Sequence, residues 1–198
     1  MSMLHKAFCF NTGSFRDELY PIIMKAAADG EISGIIAFIE GNIDSISSPY
    51  TEDPIEKDWI SELEEVDFQS LADFALTRYY DICEDIGLEY SWAALSEYLT
   101  VAEMKHDASY YVLGESVANN GVVLDPGGMG MGFVDAESVS GIKAELLSQQ
   151  DVFKGVIRSI KIETMYNLTT DELETAYLSL IAIYAQAESD KTGLMFTF

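Results

Sequence analysis

The chain has 198 residues, of which 48% are hydrophobic and 12% aromatic, which excludes a disordered chain and is enough to bury a core. Its 34 acidic and 11 basic residues give a formal net charge of −23. A field this negative repels nucleic acid and anionic membranes, which bind proteins through Lys and Arg, and it attracts basic partners. We therefore expect no direct contact with nucleic acid or membrane, although the charge could also serve solubility alone.

The first part of the chain predicts a strand followed by helices. Residues 3–10 are rich in aromatic residues and free of helix breakers, which is typical of a strand. Ser14 is expected to cap a helix that ends at Gly30, with Pro21 near its start or at a kink. Residues 31–42 fit a short helix or a buried strand, and we favour the helix.

The middle of the chain predicts a loop and then amphipathic helices. Residues 41–58 contain the serines and prolines that are typical of a loop. Residues 90–104 predict a helix, and 110–116 and 121–126 are candidate strands. Before these, apolar residues recur at helical spacing from position 59 onward, at Trp59, Leu63, Val66, Leu71, Phe74, Ala75 and Tyr79.

The last part of the chain predicts two or three helices. Asp135 can cap a helix over residues 136–150, and 152–167 is expected to be helical too. Thr169 and Glu172 have the spacing of a capping box at the start of a further helix.

The C-terminal end predicts a strand as well, because in residues 193–198 Leu194, Phe196 and Phe198 alternate with other residues. Both ends of the chain are therefore expected to be strands. With a mostly helical middle, the pattern predicts an α+β fold. We expect a mainly helical single domain over residues 1–198, with a small sheet that includes the N- and C-terminal strands.

Residues 121–134, GVVLDPGGMGMGFV, have the glycine content of a phosphate-binding loop but not its chemistry. The Lys and Ser/Thr of a P-loop are missing, and the glycines do not have the dinucleotide spacing. The run Asp125–Gly128 instead fits a turn, with Pro and Gly at the positions that a turn prefers. We interpret the stretch as a turn and expect no cofactor.

The side chains that usually carry catalysis or bind metals are scarce. Glu103 and His106 could share a helical face, but His5 is the other histidine, so a second metal-binding pair is missing. Cys9 and Cys83 have neither disulfide nor metal spacing, and we expect both in the core of a cytoplasmic protein. The sequence leaves open a pair of catalytic carboxylates of the kind that glycosidases use, but nothing in it marks a particular pair. We assign no catalytic, metal or cofactor-binding residue.

The most distinctive charge feature is the region 40–97, which contains sixteen acidic residues and, as basic ones, Lys57 and Arg78. Aromatic residues are interleaved with them, among them Trp59, Tyr79, Tyr80, Tyr90 and Trp92, and Tyr98 follows directly after the region. Such a region suits a basic protein partner, but it could also be a solvated face with the aromatic rings in the core. The carboxylates that we expect to bind the partner are Glu62, Glu64, Glu65, Asp67, Asp81, Glu84, Asp85 and Glu89.

The second half of the chain carries a family resemblance. The segments Trp92–Leu99, Gly130–Val139 and Leu180–Phe196 resemble the YfbM-like family of bacterial proteins of unknown function. The resemblance implies an α+β fold and a bacterial, cytoplasmic origin, and it carries over no catalytic residue.

These observations favour a non-enzymatic acidic inhibitor. We expect a bacterial immunity protein that neutralises a basic toxin or effector domain by occluding it. One alternative is a small enzyme or ligand-binding domain with a carboxylate-lined pocket. Another is a nucleic-acid mimic, whose carboxylates would be spaced like phosphates. The oligomeric state does not follow from the sequence.

Overall fold

The structure is a computed structural model that describes residues 4–63, 65–116, 118–119, 122–124 and 131–198. Short 3-10 helices lie at Ile43–Ser45, Trp59–Glu62 and Thr77–Tyr79. In chain order the described strands and α-helices are β1 (Lys6–Phe10), α1 (Thr12–Glu18), α2 (Tyr20–Asp29), α3 (Ser33–Gly41), α4 (Phe68–Leu76), α5 (Ser91–Val101), α6 (Ala108–Leu113), β2 (Glu115–Ser116), β3 (Ala118–Asn119), β4 (Val122–Val123), β5 (Gly132–Val134), α7 (Ala136–Ser159), α8 (Thr170–Asp190) and β6 (Gly193–Thr197).

The two terminal strands lie next to each other in the sheet. Within the described residues, four strands form an antiparallel sheet in the order β1–β6–β5–β2, and β3 pairs with β4 apart from it. The register between the ends of the chain places Lys6 opposite Thr197 and Phe10 opposite Gly193. This confirms the α+β prediction of a small sheet with both terminal strands.

Helices cover both faces of this sheet. Successive side chains of a strand point to opposite faces, so Ala7 packs among α5–α8 whereas Phe8 and Phe10 pack among α1–α4. In β6, Phe196 belongs to the first of these cores and Met195 to the second. The sheet therefore lies between two helical layers.

The first predicted helix is two helices, and Ser14 does not cap it. Asn11 caps α1 instead, because its side chain accepts a hydrogen bond from Ser14 N at 3.0 Å. The chain then restarts at α2 with Pro21 in the first turn, where a missing N–H costs no helical hydrogen bond. Gly30 ends α2 at φ 72°, as predicted.

The helix predicted from Trp59 to Tyr79 was wrong in its first half. Residues Trp59–Glu62 form one 3-10 turn, and α4 begins at Phe68. The reason is local: Asp67 is extended and its side chain accepts from Ser70 N at 2.8 Å, so it starts a new helix.

Two further boundaries differ from the prediction. Residues 110–113 belong to α6 rather than to a strand, which is confined to Glu115–Ser116. In addition, α7 is one helix that ends at Ser159, so 160–167 is not helical. The capping box at Thr169 and Glu172 is confirmed.

Candidate functional site

Two adjoining hollows, the first of them beside α4, form what we call the acidic groove. The first hollow has a volume of about 430 Å³ and the second about 590 Å³, and both are lined by Glu52, Tyr80 and Ile82. The groove lies between the loop 47–54, helix α4 and residues 79–83. Its carboxylates are Asp44, Glu52, Asp67, Asp73 and Asp81.

The loop that carries Glu52 is held in place by hydrogen bonds. Ser47 N donates to Thr77 Oγ1 at 3.0 Å, which ties the loop to the end of α4. Within the loop, Ser48 N donates to Asp53 O at 2.8 Å and Ser48 itself is buried. Glu52 adopts the left-handed conformation at φ 66°. The fold therefore holds the backbone at Glu52 in place.

Asp73 is the most perturbed carboxylate of the groove. It lies on α4 between the buried Ala72 and Phe74, and one carboxylate oxygen accepts from Gln69 Nε2 at 2.7 Å. Burial raises the pKa of Asp73 to about 7, against the hydrogen bond from Gln69, and the negative charge of Asp67 adds to the rise.

Aromatic and sulfur-containing side chains form the apolar wall of the first hollow. The rings of Phe8 and Tyr80 lie with centroids 4.7 Å apart, and Met131 and Met195 also line the hollow. Lys6 is exposed and lines it as well. The first hollow thus combines an apolar wall with three carboxylates and one ammonium.

The second hollow contains an arginine that is already paired. Arg78 Nε donates to Glu18 Oε2 at 3.2 Å, and its Nη1 donates to Ser45 Oγ at 2.6 Å. Cys83 lines the same hollow with its Sγ 3.9 Å from Glu52 Oε2. The expectation of a buried Cys83 was wrong, because this residue is exposed, and Cys9 is half-buried.

The structure brings together only some of the predicted partner-binding carboxylates. Asp67 and Asp81 line the acidic groove, where Asp81 Oδ1 also accepts from Cys83 N at 3.0 Å. Glu65 and Glu84 are exposed. Glu64 and the side chain of Glu62 lie outside the described part of the chain.

The two remaining predicted carboxylates lie elsewhere. Asp85 accepts backbone hydrogen bonds from Ala7 and Gly87, at 3.1 and 2.8 Å. Glu89 lines a separate hollow of about 520 Å³ beside the start of α8, together with Asp171 and Glu172. Glu89 therefore cannot act on a ligand that is confined to the acidic groove.

The aromatic residues that the sequence singled out in and next to region 40–97 are mostly part of the core. Trp59, Tyr79 and Tyr98 are buried, whereas Tyr90 is 42% exposed. The sequence did not single out Tyr50, which is 61% exposed at the edge of the first hollow. The aromatic anchors expected from the sequence are therefore largely structural.

Three groove residues, Asp44, Glu52 and Asp73, were missing from the predicted set. Asp73 could have been found, because it is the one carboxylate inside the apolar run LADFAL of α4. Asp44 and Glu52 carried no such signal, since a contact 30 residues away positions their neighbourhood.

The turn predicted at Asp125–Gly128 lies outside the described residues. The residues that flank this part, Leu124 and Met131, are joined by a hydrogen bond from Met131 N to Leu124 O at 3.0 Å. Asp135 precedes α7 as predicted, but its carboxylate does not cap the helix and instead pairs with Arg16 at 2.5 Å.

In the part of the chain that the structure describes, no group of three or more His, Cys, Asp or Glu could hold a metal ion. Nor is any helix in that part long and apolar enough to cross a membrane. Comparison of the chain with known protein families, curated proteins and solved structures finds no match. The resemblance to the YfbM-like family stays an expectation from the sequence.

Proposed function

We propose that the chain is a non-enzymatic inhibitor of the immunity-protein kind, which binds a basic toxin or effector domain and occludes its working surface. The observation that carries the proposal is the acidic groove. Five carboxylates line it, against Lys6 and Arg78 as its basic residues, and Arg78 is already bound to Glu18. The groove thus offers negative charge that its own side chains do not neutralise.

The proposed mechanism separates the rate of encounter from the lifetime of the complex. The net charge of −23 draws a basic partner toward the protein, and this attraction weakens as salt screens it. Once the partner is seated, carboxylates that lose contact with water contribute most to slow dissociation, whereas exposed carboxylates at the rim contribute little. Glu52 is suited to forming an ion pair that slows dissociation, because hydrogen bonds already hold the backbone of its loop.

The test uses a basic toxin or effector domain, to be sought first in the genes next to the one that encodes the chain. Co-expression of the chain should restore growth of cells that produce the toxin. Replacing Asp44 and Glu52 with Lys should abolish the rescue and slow association by about tenfold or more at low salt. Asp151 and Glu163 provide the matched control, because both are exposed acids outside the groove and their replacement with Lys changes the net charge equally.

The control separates a local site from general acidity. If both double variants rescue equally well, or if neither differs from the unchanged chain, the groove is not the inhibitory surface. An association rate that is the same in low and high salt would also contradict the proposal.

A further inference from the structure

We infer that the first hollow of the acidic groove is an anchor pocket for one cationic side chain of the partner, an arginine or a lysine. The inference rests on the proposed function and specifies how the groove would recognise a basic surface. The occupant follows from charge complementarity, since Glu52, Asp67 and Asp73 line one hollow.

The size of the hollow fits a single side chain better than an extended surface. Its volume of about 430 Å³ lies at the lower end of the range for pockets that enclose small ligands. The hollow lies between loop 47–54 and α4. Hydrogen bonds through Thr77 hold this loop against the end of α4. Such a pocket is largely formed before a ligand arrives.

The wall chemistry matches the two halves of an arginine or lysine side chain. The aliphatic stem can pack on Met131 at the wall of the hollow, as long cationic side chains do on apolar surfaces. The charged end can lie against the half-buried Tyr80 ring, which Phe8 supports from behind, and donate to the carboxylates. A guanidinium fits best, because its face stacks while its edge donates hydrogen bonds.

Asp73 is the residue that we expect to sense the bound charge. Burial holds its pKa at about 7, so near neutral pH its charge is poorly compensated in the free protein. The ion pairs of the described residues use Arg16, Arg78, Lys143, Lys154 and Arg158, and their carboxylate partners lie outside this hollow. A cation in the hollow would favour the ionised form of Asp73 and lower its pKa.

Other titratable groups face the same space and influence binding, and the exposed Tyr50 lies at its edge. Glu52 and Asp67 add negative charge, Lys6 adds positive charge, and Tyr80, whose pKa is raised by burial, supplies a neutral hydroxyl. Occupation of the hollow should therefore strengthen as Asp73 ionises, between about pH 6 and pH 8.

The experiment uses N-acetyl-L-arginine amide as the probe and N-acetyl-L-citrulline amide as its neutral counterpart. Titration of the full chain, followed by NMR, should give saturable shifts for Asp73, Tyr80 and Phe8 with the arginine probe and none with citrulline. The carboxyl carbon of Asp73 should titrate at a lower pH when the probe is bound. Replacement of Asp73 with Asn should weaken binding about tenfold, whereas D151N should leave it unchanged.

Shifts that do not saturate, or that spread over all exposed acids, would overturn the anchor pocket, as would equal affinity in D73N and D151N. The titration contains no partner protein, so such a result would not contradict the inhibitor proposal, which the rescue experiment tests separately. Conversely, a chain that binds the probe but neutralises no basic toxin contradicts the inhibitor proposal and not the pocket.

Discussion

Asp85 Oδ1 accepts a hydrogen bond from the backbone N–H of Ala7 at 3.1 Å, and in this way a surface carboxylate completes the outer edge of β1. The same edge is bonded further by Ile86 N to Ala7 O at 2.9 Å, and by a pair of bonds between His5 and Glu89. Residues 85–89 thus cover a strand edge that would otherwise expose unpaired backbone groups.

Asp85 is therefore expected to stabilise the fold rather than to bind a partner. Replacement with Ala should lower the free energy of unfolding by about 1–3 kcal/mol, because two backbone N–H groups lose a charged acceptor. D85N, which keeps an oxygen acceptor, should lose less. The midpoint of urea unfolding measures both variants. D53A, at an exposed residue, should stay within about 0.5 kcal/mol, and an equal loss in D53A and D85A would contradict the assignment.

Asp73 should make the protein less stable as the pH rises. Its native pKa of about 7 lies above the ordinary value of 3.8, so its contribution is fully present below pH 3.8 and is lost as the pH rises through 7. D73N cannot ionise and keeps an oxygen for Gln69, so at pH 8 it should be about 2–4 kcal/mol more stable than the unchanged chain. The two should converge near pH 4. Urea unfolding across this range is the measurement, and a constant difference would contradict the raised pKa.

His5 should act in the opposite direction. It is 1% exposed, its Nδ1 accepts from Leu88 N at 3.1 Å, and its Nε2 lies 2.5 Å from Val112 O. Both contacts require the neutral ring with its proton on Nε2. Burial lowers the pKa of His5 from 6.5, against the raising effects of the Val112 carbonyl and of Asp85.

The stability that His5 contributes is full above pH 6.5 and is lost as the pH falls toward its lowered native pKa. Because Asp73 titrates in the same range with the opposite sign, the effect should be clearest in D73N. The unfolding free energy of that variant should fall between pH 7 and pH 5. In histidine NMR spectra the His5 ring should titrate below pH 6.5. Protonation of the His5 ring at or above pH 6.5 would contradict the buried neutral form.

Local sequence signals predicted much of the fold. The capping box at Thr169 starts α8 where expected, and the alternation at the C-terminus identified β6. These features depend on neighbours within a few residues. The helix predicted across residues 59–67 was wrong, because the spacing of apolar residues does not reveal that Asp67 caps a new helix.

The acidic groove was less accessible to sequence reasoning. Asp67 and Asp81 come together because α4 and the segment after it fold back beside β1, whereas Asp85 is drawn to the backbone of Ala7. All three carboxylates look alike in the sequence, and their roles depend on partners 14 to 78 residues away. Charge density identified the region, but it could not separate the residues that line a groove from those that complete a strand edge.

Gly132 and Gly155 should respond oppositely to replacement with Ala. A Cβ at Gly132, in β5, would lie 1.8 Å from the carbonyl oxygen of Leu113, and since that atom is backbone, the sheet or α6 would have to shift. We expect G132A to lower the free energy of unfolding by about 2–4 kcal/mol. Gly155 lies within α7 with nothing within 4 Å of a built Cβ. There Ala favours the helix, and G155A should raise stability by about 0.5–1 kcal/mol. Urea unfolding of the pair tests the close approach of β5 to α6, because a G132A protein as stable as the unchanged chain would be incompatible with that contact.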